Sequence, residues 1–342
     1  MAETKIEWAT HTQNWLAGCS KVSPACSNCY AETMTARLAT MPDAPARYRD
    51  GVVEGRRWTG RVTYDPGALS RTFAGLAAAK SSRRVFVNSM SDTFHSGAPP
   101  ESLTDLAAAI RGLDALRGDH VLMLLTKRPG RMLAWQREHF PYGLPSWVWV
   151  GCTVEDQRRA DERIPHLLEV AAEVRFLSVE PLLGPVNLDP VFGLQPGHRW
   201  APCLCEEIDP TDRPCIVCES RRGLGAESGI HWVIVGGESG PHARPMHPDW
   251  ARSLRDQCAA AGVAFHFKQW GEWAPLDEIG EDEPRRRALR SADDMRYDLR
   301  YDLRHQFGVG VEVWRVGKHA AGRLLDGRAW DQVPGVPEVT RG

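Results

Sequence analysis

Three cysteines stand close together early in the chain, in the stretch GCSKVSPACSNCYAE from Gly18 to Glu32. Cys19, Cys26 and Cys29 are spaced C-x6-C-x2-C. Three thiols are an odd set for disulfides and one too few for a closed tetrahedral zinc site. Three thiolates can, however, hold three irons of a 4Fe–4S cluster, whose fourth iron then keeps a position open for another ligand. The same three sulfurs could instead hold a zinc ion with one open position, in a barrel hydrolase or lyase where Glu155 or Glu180 acts as general base. A third reading makes the thiols structural in a non-catalytic nucleic-acid-binding or assembly protein.

A second cysteine set reads differently. Cys203 and Cys205 form a C-x-C, and Cys215 and Cys218 form a C-x2-C nine residues later, within the polar stretch Gly193–Gly229. Two pairs on tight turns bring four thiolates together, the donor set of a structural zinc knuckle. A second iron–sulfur cluster and reduced thiols without metal are the other options. Cys152 and Cys258 stand alone on a strand and a helix, where small buried hydrophobes are expected.

The elements that must position these residues follow one rhythm. Short β-branched or aromatic runs at Arg84–Asp92, His120–Pro129, Trp147–Asp156, Val174–Leu182, His231–Gly240 and Ala264–Trp273 alternate with helical stretches. Runs buried on both faces and alternating with helices predict a parallel sheet. The fold expected is α/β, a TIM-barrel-like full or partial (β/α) barrel of about six or seven parallel strands, interrupted by the cysteine-rich zinc-binding insertion at 193–229. An open doubly wound sheet is the alternative, and it too would gather ligands at its strand ends. Each run closes on polar residues that a core would not choose, such as Ser89, Ser91 and Asp92, or Thr126, Lys127 and Arg128. Gly236-Gly237-Glu238 closes a later run and lacks dinucleotide-fingerprint spacing.

Outside this rhythm, Pro42–Pro66 is rich in turn formers and arginine and predicts a loop with a short hairpin. Residues 1–275 are assigned to the barrel and 276–342 to a charged segment followed by a lid or hairpin. Glu281–Gln306 reads as a solvated helix or tail, and the following VGVEVWRV as a strand. Trp270, just past the last strand, is placed to stack on a flat ligand.

Composition limits the setting. The chain has 342 residues, 42 Lys and Arg against 44 Asp and Glu, and a net charge of −2, so no global basic field marks a nucleic-acid binder. The N-terminal MAETKIEWATHTQ has no apolar signal core, and no run reaches the roughly 18 apolar residues of a membrane span. Nine cysteines without a secretory signal favour a reducing compartment. A soluble cytoplasmic protein without membrane contact is expected.

The three-cysteine arrangement is similar to that of radical S-adenosylmethionine enzymes. There the cofactor chelates the open iron, accepts an electron and yields a 5′-deoxyadenosyl radical. Those enzymes also have a full or partial barrel whose cysteine loop follows the first strand, although their usual spacing is C-x3-C-x2-C. A closer likeness runs through NWLAGCSKVSPACSNCYAE, VFVNSMSDTFH, LLTKRP, VGCTVEDQ, FLSVEPLLGP, VIVGGESG and FKQWGEW. Together these resemble the phage-derived three-cysteine-motif family, which is functionally uncharacterised and regarded as radical-SAM-like.

The resemblance implies Cys19, Cys26 and Cys29 as cluster ligands and S-adenosylmethionine as cofactor. Ser89, Ser91 and Asp92 occupy the second-strand position where the methionyl amino group is held, and the literal Gly236-Gly237-Glu238 falls later. Glu155 or Glu180 would accept from ribose hydroxyls. Lys127, Arg128 and Lys268 suit an anion, with Arg128, Lys268 and Trp270 on the substrate side. A nucleotide or nucleic acid is the expected substrate, and a protein partner is possible.

Overall fold

The six apolar runs of the sequence form six strands of an eight-stranded sheet in the computed structural model, which describes residues 2–114, 120–192, 229–280, 303–308 and 310–335. In chain order the strands are β1 (Ala2–Glu3), β2 (His11–Gln13), β3 (Leu16–Ala17), β4 (Val53–Glu54), β5 (Arg57–Trp58) and β6 (Thr63–Tyr64). They continue with β7 (Arg84–Val87), β8 (Val121–Thr126), β9 (Val148–Thr153), β10 (Arg175–Val179), β11 (Trp232–Gly236) and β12 (Ala264–Gln269). The principal helices are α1 (Tyr30–Ala39), α2 (Pro66–Ala77), α3 (Pro100–Asp114), α4 (Pro129–His139), α5 (Gln157–Glu169) and α6 (Pro248–Ala261).

The main sheet runs β1-β2-β7-β8-β9-β10-β11-β12. Only β1 is antiparallel to its neighbour; every other pairing in that sheet is parallel. Each new parallel strand adds to the same side of the last. A doubly wound sheet reverses its order at a switch point, and this one does not. The pairings among the described residues leave the sheet with two ends, so the closed form of the expected barrel is not formed by them. The cysteine-rich insertion expected at 193–229, with Cys203, Cys205, Cys215 and Cys218, falls almost wholly outside the described residues.

Alternation along the strands sorts the core into two layers. Leu122, Leu124, Val148, Val150, Leu177, Val179, Val233 and Val235 join the large aliphatic cluster that includes the helices. Their neighbours Phe86, Met123, Trp149, Phe176, Trp232 and Ile234 face the other way and pack with Trp8. Trp232 is the hub of this aromatic layer, meeting Trp8, Trp149 and His266 edge-on at 6.4, 6.1 and 6.1 Å between ring centroids. Gly151 is required there, because a Cβ on it would lie 2.6 Å from the Phe176 ring.

The outer edge of β12 is covered by the C-terminal segment. Phe267 donates to the Trp330 carbonyl at 2.9 Å, Gln332 donates to the Phe265 carbonyl at 3.3 Å, and His266 opposes Asp331. Unpaired edges template aggregation, and this contact removes one. A three-stranded antiparallel sheet follows β12, made of β13 (Trp273–Pro275), β15 (Val311–Arg315) and β14 (Arg304–Phe307) in that order. Arg304–Gln306, expected in a solvated helix or tail, are therefore strand, while 281–302 lie outside the described residues. Among the described residues no helix is long and apolar enough to cross a membrane.

Candidate functional site

The cysteine loop starts from β3 and is fastened at once to the end of β7. Asn88 takes a left-handed backbone, φ 54°, which its short amide side chain tolerates. Its Oδ1 accepts from the Trp15 and Leu16 backbone N–H groups at 3.1 and 3.2 Å. Asn14 returns the contact by accepting from the Met90 N–H at 3.0 Å. Gly18 then bridges to Ser91 with φ 97°, and a Cβ on it would lie 2.0 Å from the Arg61 carbonyl oxygen. Only glycine fits immediately before Cys19.

From there the loop is tied to one strand end after another. Ser20 Oγ accepts from Arg128 at 3.1 Å and lies 2.7 Å from His95 Nε2. His95 Nδ1 accepts from the Gly97 N–H, so in the neutral ring Nε2 carries the proton and donates to Ser20. Burial, and secondarily the Arg128 charge, push the His95 pKa down and favour that neutral form. Arg244 donates to the Pro24 carbonyl at 3.0 Å, and Ala25 donates to Glu155 Oε1 at 3.3 Å. Asn28 donates to Glu238 at 3.1 Å and to the His242 carbonyl at 2.7 Å. Tyr30, the first residue of α1, donates to the Ser89 carbonyl. The loop therefore lies across the C-terminal ends of β7, β8, β9 and β11.

Beneath it the carboxylates are closely held. Asp92 accepts from the Phe94 and Lys127 N–H groups, from Thr126 Oγ1 at 2.7 Å and from Arg128 at 2.7 Å. Glu155, fully buried, pairs with Arg163 at 2.8 Å, and Arg163 also donates to the Thr153 carbonyl at 2.7 Å. Glu238 is gripped by Arg244, with side-chain contacts at 2.6 and 2.8 Å plus the Arg244 N–H. Burial alone would raise the Glu238 pKa; the Arg244 hydrogen bonds outweigh it and hold the carboxyl below its ordinary value. Glu180 and Lys268 form a largely buried ion pair at 3.0 Å.

These contacts give the expected site residues distinct places. Asp92, Glu155 and Glu238 all lie under the loop, but their oxygens are already engaged by protein donors, which makes them positioning residues. Ser89 donates to Asn14 and Ser91 to the Leu16 carbonyl, both bracing the loop stem. Lys127 reaches Thr153 Oγ1 at 3.3 Å. Gly236 leaves room for Glu180, whose Oε1 would lie 2.6 Å from a Cβ there; Gly237 leaves room for the Trp270 carbonyl. Trp270 itself is only 1% exposed and donates its indole N–H to Leu324, so it is a core residue and cannot stack on a ligand. Cys152 and Cys258 are buried as expected, and burial raises both thiol pKa values, that of Cys152 to about 12.

Cys19, Cys26 and Cys29 are free thiols, each partly exposed. Burial, joined by the Asp92 charge and opposed by Arg128, lifts the Cys19 pKa to about 11, so the free thiol is neutral at pH 7. Among the described residues no three His, Cys, Asp or Glu side chains stand together as a ready-made metal site. The three thiols lie partly exposed on the loop across the strand ends and form no preassembled cage among the described residues. Sequence reasoning missed Asn14, Ser20, Asn28, His95, Arg163 and Arg244. All act through bonds to residues far away or to backbone, and spacing carries no sign of that.

The fold and site define an α/β protein with a mostly parallel sheet and a cysteine loop at its strand ends. Residues 3–334 match the family described as "Protein of unknown function (DUF5131)", and the chain belongs to that family. No curated protein and no solved structure matches it.

Proposed function

We propose that this chain is a radical S-adenosylmethionine-like iron–sulfur enzyme, with Cys19, Cys26 and Cys29 as ligands of a 4Fe–4S cluster. One observation carries the reading: three free, partly exposed thiols lie on a loop tied across the C-terminal ends of parallel strands. Strand ends of that polarity are where barrel enzymes assemble their sites, and a strand order without reversal suits a partial (β/α) barrel. When bound, a cluster with one open iron supplies an electron to S-adenosylmethionine and so starts radical chemistry.

The chain's own residues prepare that site. Asp92 orients Arg128, and Arg128 and His95 fix Ser20 beside Cys19. Glu155 and Arg163 fix Ala25, and Glu238 and Arg244 fix Pro24 and Asn28 on either side of Cys26. Metal binding needs thiolates, and the Arg128 charge beside Cys19 offsets part of the burial and the Asp92 charge that disfavour that form. Lys127, and Lys268 beside its partner Glu180, are assigned to an anion, either a cofactor carboxylate or a substrate phosphate, and a nucleotide or nucleic acid is the substrate class proposed. Ser89, Ser91, Glu180 and the Gly236–Gly237 turn line the same strand ends. Cys203, Cys205, Cys215 and Cys218 are assigned to structural zinc, and the protein to the cytoplasm. A zinc hydrolase using Glu155 as base is disfavoured, since that carboxylate is fully buried and doubly bonded.

Anaerobic reconstitution with iron and sulfide tests the proposal. The expected product is brown, holds about four irons per chain, and forms 5′-deoxyadenosine from S-adenosylmethionine under reduction. Cys19→Ala, Cys26→Ala and Cys29→Ala should each be colourless and inactive. A wild-type protein that takes up zinc alone, or cysteine variants with unchanged iron, would overturn it.

A further inference from the structure

The arginine-rich stretch Pro42–Pro66 has no part in the reading above, yet it sits directly beside Cys19. The β4–β5 hairpin and the start of the cysteine loop enclose a cavity of about 270 Å³ whose walls include Ser20, Lys21, Glu32, Arg57, Trp58 and Thr59. That is just below the roughly 300–1,000 Å³ of pockets for drug-sized ligands. It matches a single small unit left partly in solvent.

The chemistry of the walls is specific. Glu32 is buried; its Oε1 accepts from the Trp58 N–H at 2.8 Å and its Oε2 pairs with Lys21 at 2.8 Å. Through the Trp58 backbone N–H it fixes the hairpin at that residue, and it also fixes the Lys21 ammonium group. Trp58 packs partly against the small core cluster of Ala17, Ala31 and Tyr48 and contributes its remaining surface to the cavity. Arg57 is exposed, as are Arg56 and Arg61 close by, and none of the three forms an ion pair with a described residue. Ser20 Oγ already accepts from His95 and Arg128, which leaves its own proton free to donate. The cavity thus combines an indole wall, the Arg57 guanidinium, a hydroxyl donor and the Lys21 ammonium, which is shared with Glu32 and the Ser27 carbonyl at 3.2 Å, in a protein of net charge −2.

An indole with neighbouring cations recognises a flat base carrying a phosphate: the ring stacks, and guanidinium and ammonium groups take the anion. We infer that this cavity binds one nucleotide unit, its base against Trp58 and its phosphate on Lys21 and Arg57, and so holds that unit next to Cys19. As a binding site it stands by itself. As the substrate site it rests on the reading of the three cysteines given above.

The test is fluorescence anisotropy of a labelled short single-stranded oligonucleotide with the full-length chain, without cluster, at low salt. Wild type should bind, and Trp58→Ala and Arg57→Glu should each weaken binding by about tenfold or more. Arg57 is exposed, so its substitution leaves folding out of the comparison. Displacement by adenosine monophosphate would identify free nucleotides as sufficient; displacement by unlabelled strand alone would require the unit to be part of a polymer. Either result supports the site. Absence of binding, unchanged affinity in both variants, or equal displacement by an acidic peptide would overturn it. Iron content of the same proteins after reconstitution separates the two claims. Nucleotide binding without iron uptake defeats the cluster reading alone, and iron uptake with no nucleotide binding defeats this one alone.

Discussion

At the C-terminal ends of β7, β9 and β11 every buried carboxylate is answered by protein donors. Asp92 has four, Glu155 two, and Glu238 is held through both oxygens. In the aromatic layer on the sheet's other face the accounting is looser. Trp8 Nε1, Trp232 Nε1 and both ring nitrogens of His266 are buried without a hydrogen-bond partner. An unsatisfied buried polar atom costs about 1–3 kcal/mol, so this layer is held by ring area and shape against its own polar penalties. The strand ends are held by geometry: their groups are over-determined, as a preorganised site requires. One region gives the protein bulk stability, and the other gives three cysteines a fixed frame.

The sharpest way to test that division is to remove the hub of the aromatic layer. Trp232→Ala should cost about 3–5 kcal/mol in urea denaturation, with the strand-end contacts of the surviving folded fraction unchanged. Next comes the buried ion pair. Arg163→Met leaves Glu155 buried without its counter-ion, a loss of about 3 kcal/mol or more, and adding Glu155→Gln should recover part of it. Because Glu155 also holds Ala25, the single variant should in addition lower iron retention after reconstitution; retention equal to wild type would show that the loop does not depend on this pair.

Acid should separate the regions by a smaller amount. Burial pushes the His266 imidazole down to about 4 from 6.5. The unfolded chain therefore takes up this proton at higher pH than the folded one. The stability that depends on neutral His266 is complete above about pH 6.5 and drains away as pH falls toward 4, by on the order of 2–3 kcal/mol. His266→Phe should remove that share of the slope in pH-dependent urea titrations. The least effect is expected at Asn28→Ala, about 1 kcal/mol of stability, but with a measurable loss of iron because Asn28 sits between Cys26 and Cys29.

Much of this fold could be read from the chain. All six apolar runs became β7–β12, and the helical stretches between them became α3 to α6 where described. The runs missed in the main sheet were Ala2–Glu3 and, among its parallel strands, His11–Gln13. The three polar residues of His11–Gln13 carry no apolar pattern, and only pairing with Val85–Val87 makes them a strand. Of the candidate site, the thiols stood out by their spacing and the strand-end carboxylates because such residues are out of place after apolar runs. Its fastenings were not. Asn28 meets Glu238 across 210 positions of sequence, and no local period encodes that contact. Trp270 failed for the opposite reason: its place after a strand suggested a ligand, while in the fold its indole N–H goes to the distant Leu324 carbonyl and its ring meets Phe267 edge-on.

The covering of β12 by residues 330–332 sets the order in which the protein can be completed during translation. Residues 270–329 separate the strand from the segment that shields it. At about 5–20 residues per second, the nascent chain holds β12 with an open hydrogen-bonding edge for several seconds. Over that interval the growing chain is a partner for other growing chains, and a stop codon placed before Trp330 would make the exposure permanent.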